Sequence, residues 1–253
     1  MNENDFIIDS NELIKIIYDN NIKVIDSSWG LNTDLNYYEN YKKSHIPNAI
    51  FFDVELFSNE TSNLPHMFPN KKKFETLLSE VGIRNNDEIV IYDQNGFFSS
   101  TRTWFMFKYF GHTKVSILNG GFNDWIKKKF ITNSDTVIIK KSKYKASTGK
   151  YSILKRKEIE NLIKKNKFIV VDARPKDRFE SLVAEPRQGI KKGKIEGSIN
   201  IPFNLIHDST GMIKEKKNLE KLFYNENKLT DRKVICSCGS GITACNIIFS
   251  LLY

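Results

Sequence analysis

Phe168-Ile169-Val170-Val171-Asp172 repeats, 146 residues on, the pattern of Lys23-Val24-Ile25-Asp26. Each is a short β-branched run closing on an aspartate, the pattern expected of a strand buried on both faces. Two further pairs keep nearly the same spacing. Ser44-His45-Ile46-Pro47-Asn48-Ala49-Ile50-Phe51-Phe52 is echoed by Gly193-Lys194-Ile195-Glu196-Gly197-Ser198-Ile199-Asn200-Ile201-Pro202-Phe203. Glu88-Ile89-Val90-Ile91-Tyr92 is echoed by Arg232-Lys233-Val234-Ile235-Cys236. Offsets of 144 to 149 residues exceed the roughly 20–50 residues of a solenoid unit and indicate two copies of one domain.

Helical-period segments lie between the strands: Leu13, Ile14, Ile16 and Ile17 precede the first, and Ile159, Leu162 and Ile163 its counterpart. This alternation predicts an α/β fold of two tandem domains, each a mainly parallel sheet flanked by helices. The polar, Lys-rich stretch 141–151 is the expected linker, dividing a domain over 1–140 from one over 152–253. Aligned on the last pair, Tyr253 falls opposite Tyr109. The first copy runs on through a strand, Val115-Ser116-Ile117-Leu118, and a turn into a helix, Gly120-Gly121-Phe122-Asn123-Asp124-Trp125. The second copy is expected to lack its final strand and helix, leaving a sheet edge that another chain could cover.

Composition narrows the function. At roughly 150 residues per domain, 253 residues make about 1.7 domains. With 40% hydrophobic and 27% charged residues, wholesale disorder is excluded. No apolar run reaches the ~20 residues that span a bilayer, and the amino terminus MNENDFIIDS has no secretory or transit pattern; a cytoplasmic protein without a membrane partner is expected. The net charge of +9 comes from lysines in short scattered runs, Lys71 to Lys73, Lys127 to Lys129, Lys191 and Lys192. That distribution favours attraction of small anions over a nucleic-acid partner. Three cysteines, all between 236 and 245, are too bunched for a disulfide scaffold. No second Cys or His cluster completes a metal site, so neither metal nor organic cofactor is expected.

The sharpest chemical signal is Val234-Ile235-Cys236-Ser237-Cys238-Gly239-Ser240-Gly241-Ile242-Thr243-Ala244-Cys245. A strand ending near Cys236 and a helix starting near Thr243 enclose a loop in which Gly239 and Gly241 free the backbone to curl around an anion. The helix N-terminus adds unpaired N–H groups and a positive dipole end. A cysteine at the floor of such a cradle is favoured as thiolate, making Cys238 the candidate nucleophile. Cys236 and Cys245 read as small apolar residues of the strand and helix. A cysteine phosphatase has a similar cradle but needs an arginine six residues after the cysteine to clamp phosphate. That position is Ala244.

These features resemble the two-domain sulfurtransferases built from tandem rhodanese domains. Asp172-Ala173-Arg174, Gly197 to Phe203 and the cysteine loop match the second domain of that family. Ser44-His45-Ile46-Pro47, Phe51-Phe52-Asp53 and Gly120-Gly121 with Trp125 match the first. The resemblance implies a catalytic second domain and a silent first, whose loop Gly96-Phe97-Phe98-Ser99-Ser100-Thr101-Arg102 holds no cysteine. Gly239-Ser240-Gly241 after the nucleophile, rather than Arg and Lys, resembles the 3-mercaptopyruvate branch; thiosulfate is the alternative donor. The resemblance also implies a Cys238 persulfide passed to a thiol acceptor such as thioredoxin, or to cyanide. Gly239, Gly241, Ile242 and Thr243 would line the donor site, and Arg178 and Arg187 match the family's substrate arginines, suited to a small anionic sulfur donor. Arg174 reads as structural, paired with Asp172 or a loop carbonyl. For the proton relay the family pattern points to Ser240, His66 and an acidic residue eleven positions before His66. That residue is Glu55, where Asp is expected. Lys194-Ile195-Glu196 replaces His-Ile-Pro, and Phe98 stands where tyrosine is common. His45, His112 and His207 read as structural or solvated. The short second copy keeps a different class of function open: a non-catalytic relic that carries sulfur or binds a partner.

Overall fold

The computed structural model describes residues 5–31, 34–163, 168–229 and 232–253; residues 1–4, at the polar amino terminus, lie outside it. Packing divides the chain into two units. One runs to Tyr151 and takes in Ser209–Ile213; the other holds Ser152–Asp208 and Lys214–Tyr253.

The first unit contains β1 (Ile7–Ile8), α1 (Ser10–Ile16), β2 (Ile22–Asp26), α2 (Tyr37–Lys43), β3 (Ile50–Phe51), α3 (Lys71–Glu80), β4 (Glu88–Tyr92), α4 (Ser100–Tyr109), β5 (Val115–Leu118) and α5 (Gly121–Lys127). Its five strands run parallel in the order β1-β5-β4-β2-β3. The central strands are apolar on both faces, with Val24, Ile25, Ile89, Val90, Ile91, Val115 and Ile117 all buried, as helices on either side of a parallel sheet require. Short polar side chains start the helices. Asp9 and Glu12 form a capping box at α1, and Asn70 accepts the Lys73 N–H at α3.

The second unit contains α6 (Arg156–Ile163), β6 (Phe168–Asp172), α7 (Lys176–Phe179), β7 (Ile199–Asn200), α8 (Lys216–Glu220), β8 (Lys233–Ser237) and α9 (Ala244–Leu252). Its strands are parallel in the order β7-β6-β8, the order of β3-β2-β4 in the first unit. The register repeats as well: Asp26 lies opposite Phe51 and Tyr92, and Asp172 opposite Asn200 and Ser237. Among the described residues the second unit has no counterpart of β5 or α5. β8 is consequently an edge strand, with only Ile235 buried, whereas Ile89 to Tyr92 of β4 are all buried.

Two segments pack in ways the sequence does not announce. Most of the expected linker lies along the first unit. Ser142 N–H donates to Ser79 O at 2.9 Å, Ala146 N–H to Glu75 Oε1 at 3.0 Å and Gly149 N–H to Tyr109 O at 3.0 Å, while Tyr144 is buried. Ser209–Ile213, from the second repeat, also joins the first unit, where Ile213 N–H donates to Asn119 Oδ1 at 3.0 Å.

Candidate active site

β8 ends at Ser237 and α9 begins at Ala244, so Cys238 opens a six-residue connection. The strand end is fixed where Ala173 N–H donates to Ser237 O at 2.8 Å. Ile242, 2% exposed, anchors the far side of the loop in the core. Between them Gly241 has φ +81°, a left-handed conformation that costs glycine little. This turn aims the Gly241 N–H at Cys238 Sγ, 3.1 Å away. The Gly241 carbonyl in turn accepts the Cys245 thiol at 3.2 Å. Cys245 is buried in α9; Cys236 is half-buried on β8, where desolvation of the thiolate, with Cys245 and Cys238 nearby, pushes its thiol well up. Cys236 thus lies on the strand and Cys245 on the helix, the elements expected of them. Ser240 and Thr243 are half-buried on the same loop.

A chain of charged contacts leads from β6 to this loop. Arg174 is clamped at the strand end: its Nε lies 3.0 Å from both oxygens of Asp172, and its Nη2 donates to Asp172 Oδ2 at 2.7 Å and to Gly193 O at 2.8 Å. Its structural assignment thus holds through both expected partners. Arg174 Nη1 donates to Glu185 Oε1 at 2.8 Å, and the other Glu185 oxygen accepts from Arg178 Nη2. Arg178, at the end of α7, lies against the cysteine loop; a methyl group added to Gly239 would come within 3.0 Å of its Nη2. Glycine at 239 therefore leaves room for the guanidinium. Arg187 is half-buried two residues beyond Glu185. Sequence reasoning singled out the two arginines and passed over Glu185, although it stands in the same Glu185-Pro186-Arg187 stretch.

In the first unit, His66 and Glu55 meet. The Glu55 carboxylate reaches His66 Nε2 at 2.7 Å, so the glutamate, longer than the expected aspartate, spans the distance. The same oxygen accepts the Trp29 indole N–H at 2.9 Å, and the Trp29 ring meets His66 edge-on with centroids 4.6 Å apart. Phe98 stacks with Trp29 at a centroid distance of 6.2 Å. His66 itself is buried with φ +54°, and its carbonyl accepts from the Arg102 guanidinium. Trp29 was missed by sequence reasoning; its signal was an aromatic three residues after the strand-end Asp26. Of the remaining histidines, His45 Nδ1 lies 2.8 Å from Tyr41 O, and His112 bridges Asp87 O and the Tyr144 hydroxyl.

The first unit also shows what stands at the position corresponding to Cys238. By strand register Asp93 follows Tyr92 as Cys238 follows Ser237. Its buried carboxylate accepts the N–H groups of Ser99 at 2.9 Å, Ser100 at 2.8 Å and Asn95 at 2.9 Å. The cradle at the start of α4 is filled by the protein's own anion.

Among the described residues no group of three or more His, Cys, Asp or Glu could hold a metal ion, and no helix is long and apolar enough to cross a membrane.

Comparison with known proteins agrees with this geometry. Residues 9–128 and 155–252 each match the family model for the rhodanese-like domain. The chain is 33% identical over 242 residues to 3-mercaptopyruvate sulfurtransferase of Escherichia coli (strain K12), covering 94% of this chain and 85% of that protein. It is 33% identical over 230 residues to thiosulfate sulfurtransferase of Gallus gallus, covering 89% and 78%. The crystal structure of Escherichia coli SseA, described under the rhodanese fold and mechanism of 3-mercaptopyruvate sulfotransferases, matches with a TM-score of 0.90 at 30% identity, covering 98% of this chain and 93% of that one. A cysteine cradle in one unit, a self-filled cradle in the other and two matched segments lead to one conclusion: the chain belongs to the rhodanese family and is a sulfurtransferase.

Proposed function

We propose that this sulfurtransferase takes sulfur from 3-mercaptopyruvate, holds it as a persulfide on Cys238 and passes it to a thiol acceptor such as thioredoxin, or to cyanide. The observation that carries the reading is the loop itself: Gly241 N–H directed at Cys238 Sγ, with Arg178 lying against Gly239. The Cys238 thiolate attacks the donor sulfur, an S–S bond forms and the donor's C–S bond breaks. The bonding pair passes to the departing carbon, giving the enolate of pyruvate, which takes up the proton of the donor thiol. Arg178 and Arg187 hold the donor's carboxylate, since a guanidinium matches its two oxygens. Gly239, Gly241, Ile242 and Thr243 shape the cradle, and loop N–H groups stabilise the persulfide anion. Following the family pattern, the proton-relay roles are assigned to Ser240, His66 and Glu55, with Glu55 orienting His66. Acceptor attack on the outer sulfur restores the Cys238 thiolate, with no cofactor in the cycle. The reading takes the protein as cytoplasmic and divides it into a silent domain over 1–140, a connection over 141–151 and a catalytic domain over 152–253.

Mass spectrometry of the protein mixed with donor tests this. A gain of one sulfur at Cys238 is expected, and its loss in Cys238→Ser; persulfide formation unchanged in that variant refutes the assignment. Turnover with 3-mercaptopyruvate should exceed turnover with thiosulfate. The reverse order would assign the chain to the activity named for the Gallus gallus relative.

A further inference from the structure

We propose that Glu185 is a positioning residue: by tying Arg178 to the clamped Arg174, it fixes the Arg178 guanidinium against the cysteine loop and thereby sets the affinity for an anionic donor. This rests on the reading of Arg178 as a donor-binding residue.

Arg178 is a long side chain on a four-residue helix, α7, and free side chains of this kind lose substantial rotamer entropy when ordered. Its position therefore has to be imposed from outside the helix. Glu185 imposes it, using one oxygen for Arg178 and the other for Arg174. Arg174 cannot follow Arg178 in its movements, because three contacts to Asp172 and one to Gly193 O lock it to the end of β6. Placement thus passes from strand β6 through Arg174 and Glu185 to Arg178. The carboxylate is well placed for this: its side chain is 6% exposed, against 16% for Arg178, so solvent screens these contacts little. Two guanidiniums balance two carboxylates in the network, which satisfies the requirement that buried charges be paired.

A carboxylate that only balanced charge would behave differently from one that positions. Removing a mere counter-charge leaves Arg178 in place with its positive charge less offset, so an anion would bind more tightly. Removing a positioning group lets Arg178 leave the loop, so an anion binds more weakly. The sign separates the two.

The experiment compares the parent enzyme with Glu185→Gln, Arg178→Ala and the double variant. Two readouts are taken: KM and kcat for 3-mercaptopyruvate, and the ratio of Cys238 alkylation rates by iodoacetate and iodoacetamide, which reports attraction of a carboxylate independently of sulfur transfer. Glu185→Gln should raise KM about tenfold, leave kcat within about twofold and lower the alkylation ratio. In the Arg178→Ala background it should change neither further, because its effect runs through Arg178. A fall in KM, a rise in the ratio, or an undiminished effect without Arg178 overturns the proposal. An effect of Arg178→Ala with none from Glu185→Gln overturns it while sparing the donor-binding reading of Arg178; no effect from either removes both. If Glu185→Gln does not fold, Glu185→Asp, which keeps the charge but falls one methylene short, should still raise KM, and an unchanged KM counts against the proposal.

Discussion

Glu55 Oε1 serves two donors at once, the Trp29 indole and His66 Nε2. A carboxylate oxygen accepts hydrogen bonds, so Nε2 is the His66 nitrogen turned to Glu55 as a donor. The proposed relay role of His66 can be tested by substitution. Replacing His66 with Gln should lower the rate of persulfide formation by about 100-fold, within the span for loss of one general acid–base group. Glu55→Gln, acting only through the ring, should lower it by about tenfold. The Glu55 side chain is 58% exposed, so its loss should leave the unfolding midpoint nearly unchanged. Rapid-quench mass spectrometry beside denaturant unfolding checks both, and a Glu55→Gln variant with parental rate removes Glu55 from the relay. The His–acid pair was legible because motif and spacing named both residues. Trp29 and Glu185 were not, since each is identified by the atom it contacts and not by any periodicity.

The two strand-to-helix connections show the same division at the level of elements. Strand positions could be read from the chain because β-branched runs buried on both faces leave no polar alternation to confuse with a surface strand. The contents of the cradles depend on which residue follows the strand. At the start of α9 it is Cys238, receiving the Gly241 N–H; at the start of α4 it is Asp93, receiving those of Asn95, Ser99 and Ser100. Burial raises the pKa of Asp93, and the Ser99, Ser100 and Asn95 donors oppose that rise. Asp93→Ala would strand those N–H groups away from water, so it should destabilise the first unit by about 2–4 kcal/mol and leave sulfur transfer per folded molecule intact. Urea unfolding checks the first part; a loss below ~0.5 kcal/mol would show that the carboxylate contributes nothing as a cap. The packing of 142–149 and of Ser209–Ile213 was illegible for a related reason. Those segments are held by backbone N–H groups finding distant acceptors, and serine, glycine and lysine carry no periodic trace of that.

At the scale of the whole molecule, the repeat makes the two units respond oppositely to acid. Both central strands end in an aspartate, but Arg174 beside Asp172 is replaced by Ser28 beside Asp26. Burial raises the pKa of Asp26 to about 6, against the lowering effect of hydrogen bonds from Ser28, Tyr92 and Gln94. The folded value therefore lies above the ~3.9 of an unfolded aspartate. Between about pH 4 and pH 6 the folded unit keeps a proton that the unfolded chain has released, so stability falls as pH rises through this window. At ~1.4 kcal/mol per pKa unit the effect reaches roughly 3 kcal/mol at most. His207, in the second unit, runs the other way. Burial lowers its pKa to about 4, with Asp208 opposing and Lys214 assisting. As pH falls from about 6.5, the unfolded chain takes up a proton that the folded unit refuses, and stability is lost. In the first unit His112, also lowered by burial, offsets part of the gain from Asp26, so single substitutions isolate each group better than the parent's total profile. Calorimetry between pH 4 and pH 7 should find Asp26→Asn gaining on the parent as pH rises to 6, and His207→Gln gaining on it as pH falls below 6.5. A parent-to-variant difference that stays flat across the range would show that the substituted group does not couple folding to protons.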